Sequence, residues 1–355
     1  MALGGGTFVS QNKPLPGTYV NIISKVPTTS ELSQRGSVGV LFAGKATDTF
    51  AVNTVVKIAA IDFENDAEKL FGVKANDASL QPLREVFKHA TYAYVYKVDS
   101  TAHTGEAIVT DYASFLEVIQ GYPVNVVICG SESVDVIEDV VDFVKSMRDD
   151  LGVKLQVVVP YVEGMVEPNY EGVVCVYDDA ELVYWVGGAC AGCAINASLT
   201  NKLYDGELEL SIAHTQSELV TLLETGYFVF HRVGDNFRVL EDVNTLVSTT
   251  EDSVDVNIMK YNQSVRIADQ LASDSAIIFN DEFLGKVQNN ADGRISLWNR
   301  IVDNRKELER LGAIEGYSSE DTTVSVGDSK RAVVINDKVT IVNTMSQLYL
   351  TVVVQ

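Results

Sequence analysis

With 355 residues, 46% of them hydrophobic, the chain has the material for a sizeable core and room for two or three domains. A net charge of −22 excludes the usual nucleic-acid or anionic-membrane surface, because both need clustered lysine and arginine. Four cysteines are too few for a disulfide scaffold, and the opening Met-Ala-Leu-Gly-Gly-Gly lacks a basic segment followed by an apolar one, so synthesis in a reducing cytoplasm is expected.

In chain order, glycines and prolines up to Gly17 prevent a helix, and Thr18 to Ser24 reads as extended. Ser37 to Gly44 and Val52 to Ile58 read as strands. A short helix ends at Phe71, stopped by Gly72, and an amphipathic helix covers Ser79 to Ala90 before a strand at Tyr92 to Val98. From Asp111 the rhythm is regular. Helix Asp111–Gln120, strand Val124–Cys129, helix Val134–Asp150, strands Lys154–Pro160 and Gly172–Val176, and helix Ala180–Ser198 predict a covered, largely parallel sheet. Helix Gln216–Glu224, strand Tyr227–Val233 and a turn into Phe237–Leu240 close this region. A long helix, Val254–Asn280, carries Ile258, Tyr261, Val265, Ala268 and Ala272 at helical spacing. A polar loop then leads to helix Arg294–Leu311, stopped by Gly312, and four extended segments follow, the last at Gln347–Val354.

The charge-free stretch Leu182 to Thr200 approaches the ~20 residues of a membrane span, but it is small rather than greasy and reads as a buried helix. Cys190-Ala191-Gly192-Cys193 lies inside that helix, away from the N-terminus that would activate a thiol, and lacks a second pair for zinc. The histidines at 89, 103, 214 and 231 are scattered. Asn290-x-Asp292-Gly293 lacks the acidic first and last ligands of a calcium loop. No catalytic, cofactor-binding or metal-binding residue is assigned. The helix from Arg294 is basic-rich in an acidic protein, with Arg294, Arg300, Arg305, Lys306 and Arg310. A solvated face balanced by Asp303, Glu307 and Glu309 and a contact with an acidic partner both fit. Leu348 to Val354 is uncharged β sequence, apolar on both faces. It fits an interior strand of its own domain, or a strand lent to another copy.

Several blocks resemble the contractile tail sheath proteins of phages and related particles. They are Gly4-Gly5-Gly6-Thr7-Phe8 with Leu15-Pro16-Gly17-Thr18-Tyr19-Val20-Asn21, Asp178–Val186 through Gly192-Cys193-Ala194, Ser198–Lys202, Asn289–Arg294, Leu311–Ile314 and Met345–Val352. The resemblance implies a multidomain α/β and α+β protein: an N-terminal arm at 1–25, an α+β region at 26–98, a central α/β domain of subtilisin-like but non-catalytic fold at 99–249, an α+β domain facing the tube at 250–338, and a C-terminal β arm at 339–355. It implies a structural protein, not an enzyme, that polymerises with itself as six-fold rings around a tail tube, meets baseplate and tail terminator proteins, and contracts. The arms, with Tyr19, Val20, Ile22, Leu348, Leu350, Val352 and Val354, would join subunits, and the basic helix would touch the tube. No cofactor, nucleic acid or membrane insertion is implied. A doubly wound ligand-binding enzyme and another shell or tube protein are the competing readings.

Overall fold

The computed structural model describes residues 32–249 and 255–354. Its body is built on a seven-stranded sheet. The strands are β1 (Ser37–Gly44), β2 (Thr54–Ala59), β3 (Tyr92–Asp99), β4 (Val126–Ile128), β5 (Gln156–Pro160), β6 (Val173–Val176) and β7 (Tyr227–Phe228), in the order β2-β3-β1-β4-β5-β6-β7. All neighbours are parallel except β2, which runs antiparallel to β3 along one edge. Strands from both sides of residue 98/99 share this sheet, so the expected boundary there passes through one layer.

Alternation along the strands creates two cores, because successive side chains point to opposite faces. Val126, Ile128, Val158 and Val174 face one way, onto helices α1 (Phe63–Phe71), α2 (Gln81–Phe87) and α5 (Leu182–Gly192). Val127, Val157, Val159 and Val173 face the other, onto α3 (Glu106–Ile119) and α4 (Val134–Asp149), with α6 (Gln216–Glu224) at the margin. The result is a three-layer sandwich. Local signals set the helix ends. Gly72, at φ 74°, closes α1 by donating its N–H to the Glu68 carbonyl oxygen, and Thr215 with Glu218 forms a capping box at the start of α6. Helix α5 stops at Gly192 rather than at Ser198, and Cys193 turns extended. A Cβ at either Gly188 or Gly192 would strike the backbone of the α2 region, at Val86 and His89, so these glycines permit the close crossing.

After α5 the chain runs without regular structure to His214. Tyr204, Leu208, Leu210 and Ile212 of this strap pack on the first core. Buried Glu85 accepts hydrogen bonds from Tyr204 Oη and Glu207 N–H, and Asp205 accepts one from Trp185 Nε1. A hairpin, β8 (Phe230–Val233) and β9 (Asn236–Val239), ends the sheet domain.

The long helix expected at 254–280 is interrupted. It forms α7 (Val256–Met259), α8 (Asn262–Ile278) and a π-helical turn at Phe279–Phe283. Tyr261 is extended because it bridges to Val243, and Asn262 N–H donates to the Asp242 carbonyl oxygen. Helix α9 (Ala291–Arg310) starts three residues earlier than the sequence suggests, since Asn290 caps it through Gly293 N–H. Four short strands follow: β10 (Ile314–Glu315), β11 (Thr322–Val326), β12 (Val333–Asp337) and β13 (Thr340–Ile341). They pair as β11–β12 and β10–β13. A small core of Ile278, Phe283, Leu297 and Ile301 supports the β11–β12 hairpin. The strand expected at Gln347–Val354 has no partner strand among the described residues and is not assigned as one.

Candidate functional site

The most conspicuous surface is the C-terminal tail. Met345 is fully exposed, and Leu348, Tyr349, Leu350, Val352, Val353 and Val354 are each at least 70% exposed. A soluble chain rarely leaves so many apolar side chains in water without a use for them. Among the predicted arm residues, Leu348, Leu350, Val352 and Val354 are therefore exposed in the single copy. Tyr19, Val20 and Ile22 lie outside the described residues.

The predicted basic helix face divides. Arg305 is only 3% exposed. Its Nε donates to Asp337 Oδ2 at 2.6 Å and its Nη2 to Ser275 Oγ at 2.8 Å, so it staples α9 to β12 and α8 and cannot meet an outside partner. Arg300 makes a bidentate pair with Glu282, and Arg310 one with Glu307. Arg294 Nη1 donates to Asn289 Oδ1 at 3.0 Å, and Arg294 borders a hollow of about 240 Å³ lined by Phe279, Phe283 and Leu297 with Lys330 and Arg331 at its edge. Lys306 is exposed. Arg294, Arg300, Lys306 and Arg310 thus remain at the surface, two of them already neutralised.

Periodicity reasoning misses a buried polar hub on α8. Asn262, Gln263, Ser264, Arg266, Asp269, Gln270 and Asp274 are all buried. Arg266 Nη2 donates to Asp242 Oδ2 at 2.9 Å, and Asp242 also accepts from Leu199 N–H and Asn262 Nδ2. Arg148, from α4, grips Asp269 with both terminal nitrogens, at 2.7 and 2.9 Å. Burial would lower the affinity of Arg148 and Arg266 for their protons, but the facing aspartates more than offset it and hold both above the ordinary range. Arg35 has no such dedicated partner among the described residues. Burial, and then repulsion from Arg266, push it down to about 10. Asp274 accepts from Asn304 Nδ2 of α9 and from Ser33 N–H, and Gln263 holds Val342 and Thr344. One helix therefore ties the sheet domain, α9 and two outgoing segments together. The sequence signal for it would have been the density of Asn, Gln, Asp and Arg on a helix that also carries an apolar stripe.

The remaining candidates behave as packing. Burial raises the thiols of both Cys190 and Cys193, which therefore stay protonated, and no cluster of metal-ligand residues occurs among the described residues. His89, His103 and His214 each meet one aspartate, Asp205, Asp111 and Asp178 respectively. Among the described residues no helix is long and apolar enough to cross a membrane.

Two family models account for this organisation. One for the phage tail sheath protein central domain matches residues 105–245, and one for the phage tail sheath C-terminal domain matches residues 255–355. The fold is a mixed α/β one built on a multi-stranded sheet, and the chain belongs to the phage tail sheath family. An uncharacterised Bacillus subtilis protein, YqbK, is 27% identical over 262 residues, 69% of this chain and 56% of that protein. The chain spans about half the length of the curated relatives it matches. In fold it resembles the sheath tail protein of Desulfitobacterium hafniense, with a TM-score of 0.76, 22% identity and coverage of 93% of this chain and 98% of the other. It also resembles the anti-feeding prophage helical sheath in its contracted state, with a TM-score of 0.70, 14% identity and coverage of 96% and 99%.

Proposed function

We propose that the chain is a structural subunit of a contractile tail sheath and not an enzyme. Subunits stack as six-fold rings in a helical cylinder around a tail tube. Triggered shortening of the cylinder drives the tube through a cell envelope. The partners are other copies of the chain, the tube protein, and baseplate and terminator proteins. The chain is made in a bacterial cytoplasm and resides in a phage or phage-tail-like particle. The observation that carries this reading is the uncharged apolar tail, exposed in one copy, on a chain whose central and C-terminal regions both match sheath models.

Such a machine has no fuel at the moment of action, so its free energy must reside in a metastable extended lattice whose interfaces have two arrangements. The tail at 339–355 and the arm at 1–25 join neighbours by strand addition, where main-chain hydrogen bonds survive while bodies rotate. The part of the sandwich at 99–249 is the central, subtilisin-like, non-catalytic domain, and the 250–338 region faces the tube. Arg294, Arg300, Lys306 and Arg310 supply tube contacts. Exposed ion pairs contribute only ~0–1 kcal/mol each, which suits a contact repeated many times and then released. Negative-stain microscopy of the purified chain tests this. Hollow cylinders are expected from the full chain and none after deletion of Leu348–Gln355. Normal cylinders from the truncated chain would refute the role of the tail, and unaltered assembly on tubes after charge reversal at Arg300 and Arg310 would discard the tube contact.

A further inference from the structure

The segment that becomes the tail leaves the body through a side-chain grip. Its last main-chain hydrogen bond among the described residues runs from Val342 N–H to the Ala313 carbonyl oxygen, at 3.0 Å. Past that point Gln263, buried on the first turn of α8, takes over. Its Nε2 donates to the Val342 carbonyl oxygen at 3.2 Å. Its Oε1 accepts from Thr344 N–H at 3.0 Å and from Thr344 Oγ1 at 3.2 Å. Ser264 Oγ adds a bond to Asn343 Oδ1 at 3.0 Å. One primary amide therefore serves the carbonyl before Asn343 and the N–H after it. A residue on a parallel neighbouring strand would bond in the same pattern. Gln263 imitates a strand where the sheet has ended. Because its side chain is already immobilised by burial, holding the segment costs little further entropy. From Met345 onward no residue has a comparable hold among the described residues.

We propose that Gln263 is the positioning residue that sets the pivot of the tail: it locks Val342–Thr344 to α8, so that the segment from Met345 turns about one point while the body keeps its shape. The use made of that pivot rests on the sheath reading. The same helix holds a second segment, since Ser33 N–H donates to Asp274 Oδ1 at 2.7 Å and Gln270 Nε2 donates to Ser33 Oγ at 2.7 Å. The two grips lie about 10–16 Å apart along α8 at 1.5 Å per residue. Both segments thus start from one rigid element, and their starting points keep a constant separation however the body rotates.

Hydrogen exchange resolved to single amides, on the full chain in solution, tests the grip. Gln263→Leu should speed exchange at Thr344 about tenfold, the scale of one or two net hydrogen bonds. The amides of the β11–β12 hairpin should not change. Wild-type exchange at Thr344 would overturn the proposal. Gln263→Glu keeps the acceptor for Thr344 N–H and should keep that amide protected; a loss as large as in Gln263→Leu would mean that the residue merely fills space. If Gln263→Leu fails to fold, Thr344→Pro removes the donated N–H from the tail side and leaves α8 intact. The Val342 amide should then exchange about tenfold faster as the last ladder bond frays, and unchanged exchange there would equally overturn the proposal. These readings are made on the dissolved chain, whereas failure of the sheath reading shows as absence of cylinders from the wild-type chain, so the two are told apart.

Discussion

Replacing Asp242 with alanine should be the most damaging single change in the polar hub. The carboxylate is 1% exposed and accepts from Arg266 Nη2 at 2.9 Å, Leu199 N–H at 3.0 Å and Asn262 Nδ2 at 3.0 Å. Without it, Arg266 keeps, among the described residues, only a 3.3 Å bond to the Ala197 carbonyl oxygen, while its Nε and Nη1 already lack partners. Stranding a buried charge costs about 3–5 kcal/mol. The orphaned Leu199 N–H adds about 1–3 kcal/mol, not fully additive. A loss of about 4 kcal/mol is therefore expected in urea unfolding followed by tryptophan fluorescence, with Trp185 and Trp298 reporting the two sides of the hub. Adding Arg266→Met to Asp242→Ala removes the stranded charge, and the cost should fall to about 1–3 kcal/mol. A single variant within about 1 kcal/mol of wild type, or a double variant no better than the single, would refute the reasoning.

Gly188→Ala should lower the melting temperature sharply, because the new Cβ meets the Val86 main chain, which cannot step aside; about 2–3 kcal/mol is expected. Gly121→Ala, with Val118 O at 3.5 Å as its nearest neighbour, should stay within about 0.5 kcal/mol in the same thermal scan. Glu85 gives a pH prediction. Burial raises its carboxyl above the usual 4.5, despite the bonds from Glu207 N–H and Tyr204 Oη. A carboxyl raised on folding holds its proton more tightly in the folded chain. Its contribution is thus fully present below the unfolded value and is lost as pH rises through the raised folded value. Glu85→Gln removes that titration, so its melting temperature should gain on the wild type as pH rises above the usual 4.5, and a difference that stays constant as pH rises would contradict the assignment.

Where one kind of physics dominates a segment, the sequence was a good guide. Strand β1 and helix α6 match their expected bounds, because the first is a run buried on both faces and the second is marked by its own capping box. Helix α5 is shorter than the sequence predicts, since the small residues that permit it to cross α2 also look like helix interior. The sequence predicts one continuous helix over 254–280 because its apolar spacing persists through Tyr261, whereas the pairing of Tyr261 with Val243 depends on a residue outside that local pattern. Arg305 counted as a surface cation, and its partner Asp337 could not be foreseen from spacing along α9. The polar side of α8 was invisible for the same reason: a polar residue counts as exposed until its partner is known. The tail shows the opposite limit, for its β character is plain in the residues but no strand partner for it stands among the described residues.

The grip of α8 on its surroundings also bears on mechanical stiffness. An interface of hydrocarbon side chains is non-directional and lets surfaces slide by small increments. One made of guanidinium–carboxylate forks, such as Arg148 on Asp269, has a single seating and resists shear until its bonds break together. A pull on residues near 342 is therefore passed through α8 to the sandwich with little slack.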